Sequence, residues 1–200
     1  MFPQVIESER IRHEQLCHAN IDVQEFYWVC AYDDGIEEIT RYMPWTPHET
    51  MRESKKFIDQ TERKWEDGES LKYILRPKAS EDGAGEFAGL TGLKFKWDRR
   101  TAVQWIWLRK RFWGRSYNGE SAHSLMELVF EELDLDLFAV THAVENTKSQ
   151  QAIQRYIEAA GGQRDGLLRN WVPHEDYVSD EVRYTVSQEQ WRATRESTEE

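Results

Sequence analysis

Cysteine is nearly absent from the 200-residue chain: Cys17 and Cys30 are the only two, and no CxxC spacing occurs. That excludes a disulfide-stapled scaffold and a four-thiolate zinc site, and it fits reduced thiols in a cytosolic protein. Long apolar runs are missing as well. Stretches such as Trp105-Ile106-Trp107-Leu108 and Leu137-Phe138-Ala139-Val140 have the length of a strand, far short of the ~20 residues a membrane-spanning helix needs. The opening MFPQVIESER has no basic segment followed by an apolar stretch, so no secretory signal and no membrane partner are expected, and the expected compartment is cytoplasmic. His174-Glu175-Asp176 and Cys17-His18 lack the paired spacing of metal ligands and read as solvated loops, so no metal is expected. Positive charge is short: 26 Lys and Arg face 37 Asp and Glu, for a net charge of −11. Such a surface repels a phosphate backbone and excludes general nucleic-acid binding. It suits a halophilic host with a salty cytoplasm, where carboxylates keep a protein hydrated, and equally an ordinary acidic enzyme.

What is present can build a core. The chain is 39% hydrophobic, with nine Trp, eight Tyr and eight Phe, enough to fold without staples. No repeat and no Pro/Ser/Gly-rich linker divides it, so one domain is expected over 1–191, followed by a polar, frayed tail over 192–200. Strand patterns fall at 9–16, 71–77, 86–96 and 102–109, with turn signals at Asp82-Gly83-Ala84-Gly85 and Asp98-Arg99-Arg100. Helices are expected at 23–33 and 49–65. Then the period changes. Ala122, Leu125, Met126, Val129, Phe130 and Leu133 recur at helical spacing, a strand follows at 137–144, and Ala152, Ile153, Tyr156, Ile157 and Ala160 mark a second helix ending at Gly161-Gly162. Strands at 167–172 and 182–186 close the chain. The expected fold class is α/β (α+β): a mixed, mostly antiparallel sheet of about seven strands flanked by about four helices.

The stretch from Leu108 to Ala122 joins a strand to the start of an amphipathic helix, where free amides and the helix dipole converge. Gly114 lets a ligand approach the backbone, and Arg109, Lys110, Arg111 and Arg115 form a basic island in an acidic chain. A phosphorylated ligand and a plain turn with solvated arginines both remain open on this stretch alone. A P-loop does not, because Glu120 follows the Gly114–Gly119 spacing where a lysine is required.

Arg111-Phe112-Trp113-Gly114-Arg115-Ser116 resembles the Q/R-x-x-G-x-G/A motif of the GNAT acyltransferase superfamily, with Ser116 where Gly or Ala is usual. The continuation to Glu120-Ser121-Ala122 is similar to the RimJ/RimL-like branch, which acetylates N-termini of ribosomal proteins. Glu145-Asn146-Thr147-Lys148-Ser149, then Gly161-Gly162, then Gly166 to Arg169 resemble that branch's second signature, with Gly162 in place of a usual Phe.

This resemblance implies an N-acetyltransferase with acetyl-CoA and an amine acceptor as partners. It implies that backbone amides of Phe112, Trp113, Gly114, Arg115, Ser116, Tyr117, Asn118 and Gly119 cradle the diphosphate, beside Arg111. It further implies that Trp107, Leu108 and Arg109 run along the pantetheine arm, that Asn146 bonds it, and that Ser149 is the acid for the departing thiolate. Asn146 and Ser149 also suit a helix cap and first turn. No carboxylate base occurs over 102–107, and His142 is the candidate that remains, against a structural histidine or a water chain. Tyr156 lies on the apolar stripe and reads as core. A non-catalytic acyl-CoA-binding or sensing domain stays as the alternative, and a homodimer stays open.

Overall fold

Helix starts are written into the local sequence. Asp22 caps the first helix, α1 (Val23–Tyr32), its carboxylate accepting from the amides of Gln24 and Glu25 at 2.7 and 3.3 Å. Thr50 caps α3 (Met51–Glu66) in a reciprocal arrangement. Its hydroxyl accepts from the Glu53 amide at 3.4 Å, while the Glu53 carboxylate accepts from the Glu49 amide at 2.9 Å. Between them lies the short α2 (Ile36–Thr40). The chain is described here by a computed structural model covering residues 2–199.

Its strands are β1 (Val5–Glu7), β2 (Ile11–Gln15), β3 (Ser70–Pro77), β4 (Gly89–Lys96), β5 (Thr101–Leu108), β6 (Leu137–Ala143), β7 (Gln163–Pro173) and β8 (Val178–Ser187). They form one eight-stranded sheet in the order β1-β2-β3-β4-β5-β6-β8-β7. β1–β2, β2–β3, β6–β8 and β8–β7 pair antiparallel, whereas β5 and β6 run parallel. The mixed sheet matches the expected class. It has one more strand than expected, because the three residues of β1 are too few to show a period.

The chain divides into two compact units, and it changes unit inside β4 and again inside β5. The first unit is the chain up to Gly92 together with Ile106–Tyr117; the second is Leu93–Trp105 together with the chain from Asn118 on. In the first unit Ile11, Leu75, Ala88, Phe112 and Tyr117 are buried together, with Ile106 and Leu108 against them. Phe26 of α1 stacks on Phe57 of α3 at 5.6 Å and on Phe87 at 5.7 Å. Fully burying one such ring contributes roughly 1.5–3 kcal/mol.

In the second unit α4 (Tyr117–Glu127) buries Ala122, Leu125 and Met126, and a π-helical turn at Leu128–Glu132 continues it. α5 (Thr147–Ala159) buries Ile153, Tyr156 and Ile157, and Gly161 ends it in a left-handed conformation (φ 74°). Gly162, the departure from the usual Phe, has a plain cause. A Cβ there would lie 2.4 Å from the Thr185 carbonyl oxygen and 2.6 Å from Val186 Cγ2.

The expected tail over 192–200 is corrected: α6 spans Gln188–Glu199. Trp191 anchors it, buried at 2% exposure with its indole N–H donating to Glu131 at 2.9 Å. With α2 and α6 there are six α-helices among the described residues, against about four expected. Residue 200 lies outside the described residues. Among the described residues no helix is long and apolar enough to cross a membrane.

Candidate active site

In the first unit β5 ends at Leu108, and a single 3-10 turn, Lys110–Phe112, leads to the loop. Phe112 and Tyr117 are fully buried and pin the two ends of this segment in the core. Between them the backbone turns left-handed twice, at Gly114 (φ 77°) and Ser116 (φ 63°). A serine in that region carries a cost that glycine does not, which gives the motif's preference at this position a physical reason. A Cβ on Gly114 would meet nothing within 4 Å, so the space over this peptide is open.

Side chains hold the loop's carbonyls. Trp113 Nε1 donates to the Leu108 carbonyl at 2.8 Å, and Arg10 donates to the Arg115 carbonyl at 3.0 Å while lying over the Tyr117 ring. The Phe112 and Trp113 amides are used inside the 3-10 turn, donating to Arg109 and Lys110. From Gly114 to Tyr117 the amides have no acceptor among the described residues. A run of unpaired amides is the chemistry from which anion-binding concavities are made.

The basic island behaves differently from the expectation. Arg109 pairs with Asp33 at 2.6 Å, Lys110 with Glu38 at 2.9 Å, Arg111 with Glu86 at 2.7 Å and Arg115 with Asp82 at 2.9 Å. Arg115 beside Asp82 holds that carboxyl below its ordinary range, and the pairing raises the Arg115 guanidinium in turn. Each cation is therefore offset by a carboxylate. What the loop retains for an anion is its unpaired amides. Burial raises the Tyr117 phenol, which donates to Glu81 at 2.7 Å.

The strand end is also partly committed. The Trp107 side chain is buried against Trp45 and Phe87, at 5.6 and 5.7 Å. The Arg109 amide donates to Ala88 at 2.8 Å. The Trp107 ring, the Arg109 guanidinium and the Arg109 amide are therefore already engaged within the protein.

In the second unit Asn118 and Gly119 lie in the first turn of α4, and Gly119 abuts Tyr156: a Cβ there would sit 3.6 Å from Tyr156 Cβ. Asn146 caps α5, its side-chain oxygen accepting from the Ser149 amide at 3.1 Å. The sequence therefore brings Asn146 and Ser149 together, both half-buried. His142 on β6 is buried, at 4% exposure, and its Nδ1 lies 2.8 Å from the Ala143 carbonyl. A carbonyl only accepts, so Nδ1 carries a proton in this contact. Tyr156 is buried and donates to Gln104 at 3.0 Å, and burial pushes its phenol far above the ordinary range.

Sequence reasoning passed over three contributors. Asp82 and Arg10 act through partners distant in sequence, which no local pattern reveals. Gln104 did leave a signal, as the one amide in the otherwise apolar run Ala102 to Leu108.

Comparison with known proteins bears on the family and the fold. The family model for the acetyltransferase (GNAT) domain matches residues 18–156. YdaF of Bacillus subtilis (strain 168), which carries a ribosomal N-acetyltransferase name, is 32% identical over 98 residues, covering 48% of this chain and 50% of YdaF. The match thus spans about half the length of that relative. The microcin C7 self-immunity acetyltransferase MccE, solved with acetyl-CoA and AMP, superposes with a TM-score of 0.79 at 17% identity, over 93% of this chain and 97% of that one. RimL, the ribosomal L7/L12 α-N-protein acetyltransferase, gives 0.73 at 14% identity over 92% and 93%. Both structures share the fold.

Proposed function

The chain belongs to the GNAT acetyltransferase domain family, and from that premise we propose that it moves an acetyl group from acetyl-CoA to a primary amine, on a protein N-terminus or a small molecule, by direct attack. One observation carries the reading. The loop after β5 turns left-handed at Gly114 and Ser116, is open over Gly114, and delivers its amides at the head of α4. That is chemistry for a diphosphate. The acetyl-CoA held by MccE supports this choice of ligand, as do the ribosomal acetyltransferase names of YdaF and RimL for a protein N-terminus as acceptor.

In this reading the backbone from Gly114 to Gly119 holds the diphosphate, and the pantetheine arm follows Trp107, Leu108 and Arg109. Asn146, whose oxygen caps α5, keeps its amide for the ligand. The amine attacks the thioester carbonyl and gives up a proton, for which His142 Nε2 is the acceptor. The carbon–sulfur bond then breaks, the leaving thiolate takes a proton from the Ser149 hydroxyl, and the proton held on His142 passes through water to restore that hydroxyl. No covalent enzyme intermediate is needed.

Acetyl-CoA at a hundred times its Kd should stabilise the fold by about 2.7 kcal/mol, read as a rise in Tm. Gly114→Glu puts a carboxylate and a Cβ into a left-handed peptide of the cradle, and should abolish that rise. An undiminished shift in this variant defeats the loop assignment. Release of free thiol across a panel of amines tests the chemistry, and binding without thiol release would leave a sensing domain.

A further inference from the structure

In the chain His18 stands 41 residues from Asp59 and 44 from Glu62, and all three belong to the first unit. The fold brings them together. Each offers one ligand atom, and these atoms all lie within 4.8 Å of one another. Asp59 and Glu62 are three residues apart on α3, which puts both carboxylates on one face of that helix. His18 is carried by the turn after β2, closed where the Asn20 and Ile21 amides donate to the Cys17 carbonyl at 3.1 and 3.3 Å. Two contacts join this turn to α3. The His18 amide donates to Glu62 Oε1 at 2.8 Å, and His18 Nε2 lies 2.7 Å from Asp59 Oδ1. Cys17-His18 alone reads as a solvated turn; the carboxylates that change this reading come from a distant helix.

Ion pairing accounts for only part of the cluster. Lys55, one turn earlier on α3, donates to both oxygens of Asp59 at 3.0 and 2.8 Å. Lys55 and then His18 hold the Asp59 carboxyl below its ordinary range, so it is ionised and ready to ligate. Glu62 is not explained in this way. Its carboxylate takes a neutral main-chain amide and has no cationic side chain within 4.0 Å among the described residues. The Lys55 side chain is 60% exposed on a flexible stem, so its ammonium can leave Asp59 for water at little cost.

The donor set selects the ligand. Two carboxylates offset a divalent charge, and a neutral imidazole adds a nitrogen. Calcium and magnesium take oxygen sets, whereas imidazole beside carboxylate suits zinc, which binds Asp, Glu and His and leaves a position to water when three residues ligate it.

We propose that His18, Asp59 and Glu62 form a binding site for a divalent transition ion of the zinc class, which ties the turn after β2 to α3. His18 Nε2 supplies its lone pair, any proton on it passes to solvent, and the Lys55 ammonium gives up Asp59 to the ion. The site stands apart from acetyl transfer and does not depend on it.

Zn²⁺ alone, titrated into the EDTA-treated protein by calorimetry, should bind at one site and raise Tm. His18→Gln and Glu62→Gln each remove a ligand. Either should weaken Zn²⁺ by at least the roughly tenfold that loss of an outer-shell partner costs. Lys55→Met removes the competing ammonium and should tighten Zn²⁺ binding, an effect that a plain ion-pair cluster does not produce. Co²⁺ in place of Zn²⁺ should give d–d absorption bands that change in His18→Gln. The four side chains are exposed or half-buried, and Glu62→Gln still accepts from the His18 amide, which keeps one ligand variant folded. Absence of saturable Zn²⁺ binding in the unaltered protein overturns the site. So does an affinity that neither ligand variant alters, which would put the ion elsewhere on the chain.

Discussion

Ser149 gives its amide to Asn146 and so already has a structural duty at the first turn of α5. Its hydroxyl is the proposed acid, and the two duties separate by substitution. Ser149→Ala should leave acetyl-CoA affinity and Tm nearly unchanged and lower turnover on the order of 10²-fold. Full activity per folded molecule would remove the acid. Lys72 of β3 makes a different statement. Burial brings its ammonium down to about 8 from 10.5, with nearby Lys64 adding to the effect. The contact with the Phe57 ring, 4.0 Å from Nζ, does not offset that. Below pH 8 both states are protonated and the fold bears a cost of about 3 kcal/mol. Between about 8 and 10.5 the unfolded chain binds more protons, so this cost lifts and stability rises with pH. Lys72→Met should therefore raise Tm at pH 7 and flatten the profile above pH 8; an unaltered slope contradicts it. At this scale the sequence disclosed what is local: Gly114, the Asn146 cap, the core position of Tyr156. It hid what is distant. Arg109 and Asp33 are 76 residues apart, so a basic island in the sequence is, in space, a set of ion pairs.

Among the elements, legibility followed length and amphipathicity. β3, β5, β6, α3 and α5 carry enough periods to be read, and their observed bounds lie within a few residues of the expected ones. β1 and α2 are too short for a period to repeat. α6 escaped for another reason, since Trp191 is its one large apolar residue and too little to mark a period. Contact with α6 also explains Gly161, whereas Gly162 answers to β8. A Cβ on Gly161 would lie 2.6 Å from Thr194 Oγ1 of α6, and one on Gly162 would strike the β8 backbone. Gly162→Ala should cost about 1–3 kcal/mol by overpacking, read as a lower denaturant midpoint with an unchanged slope. A neutral effect would mean that β8 is able to yield.

For the molecule as a whole, charge sets the expectation. At −11 self-repulsion opposes the compact state, and screening it outweighs the loss of exposed ion pairs, each worth little. Tm should rise as KCl goes from about 0.1 M to about 1 M, as the screening length falls from about 10 Å to about 3 Å. A flat profile would point to an ordinary acidic enzyme. The division of the chain bears on synthesis as well. The first compact unit takes Phe112 and Tyr117 into its core, yet these residues follow thirteen that belong to the second, Leu93–Trp105. A nascent chain, emerging amino end first, cannot complete even its first half until the loop after β5 has been translated. A polypeptide interrupted at Gly92 lacks both the loop and the aromatic plugs that close the core beside it. The segment proposed to bind the diphosphate is thus the segment whose arrival licenses folding, so any premature stop upstream of it produces an unfolded fragment rather than a folded protein without its site.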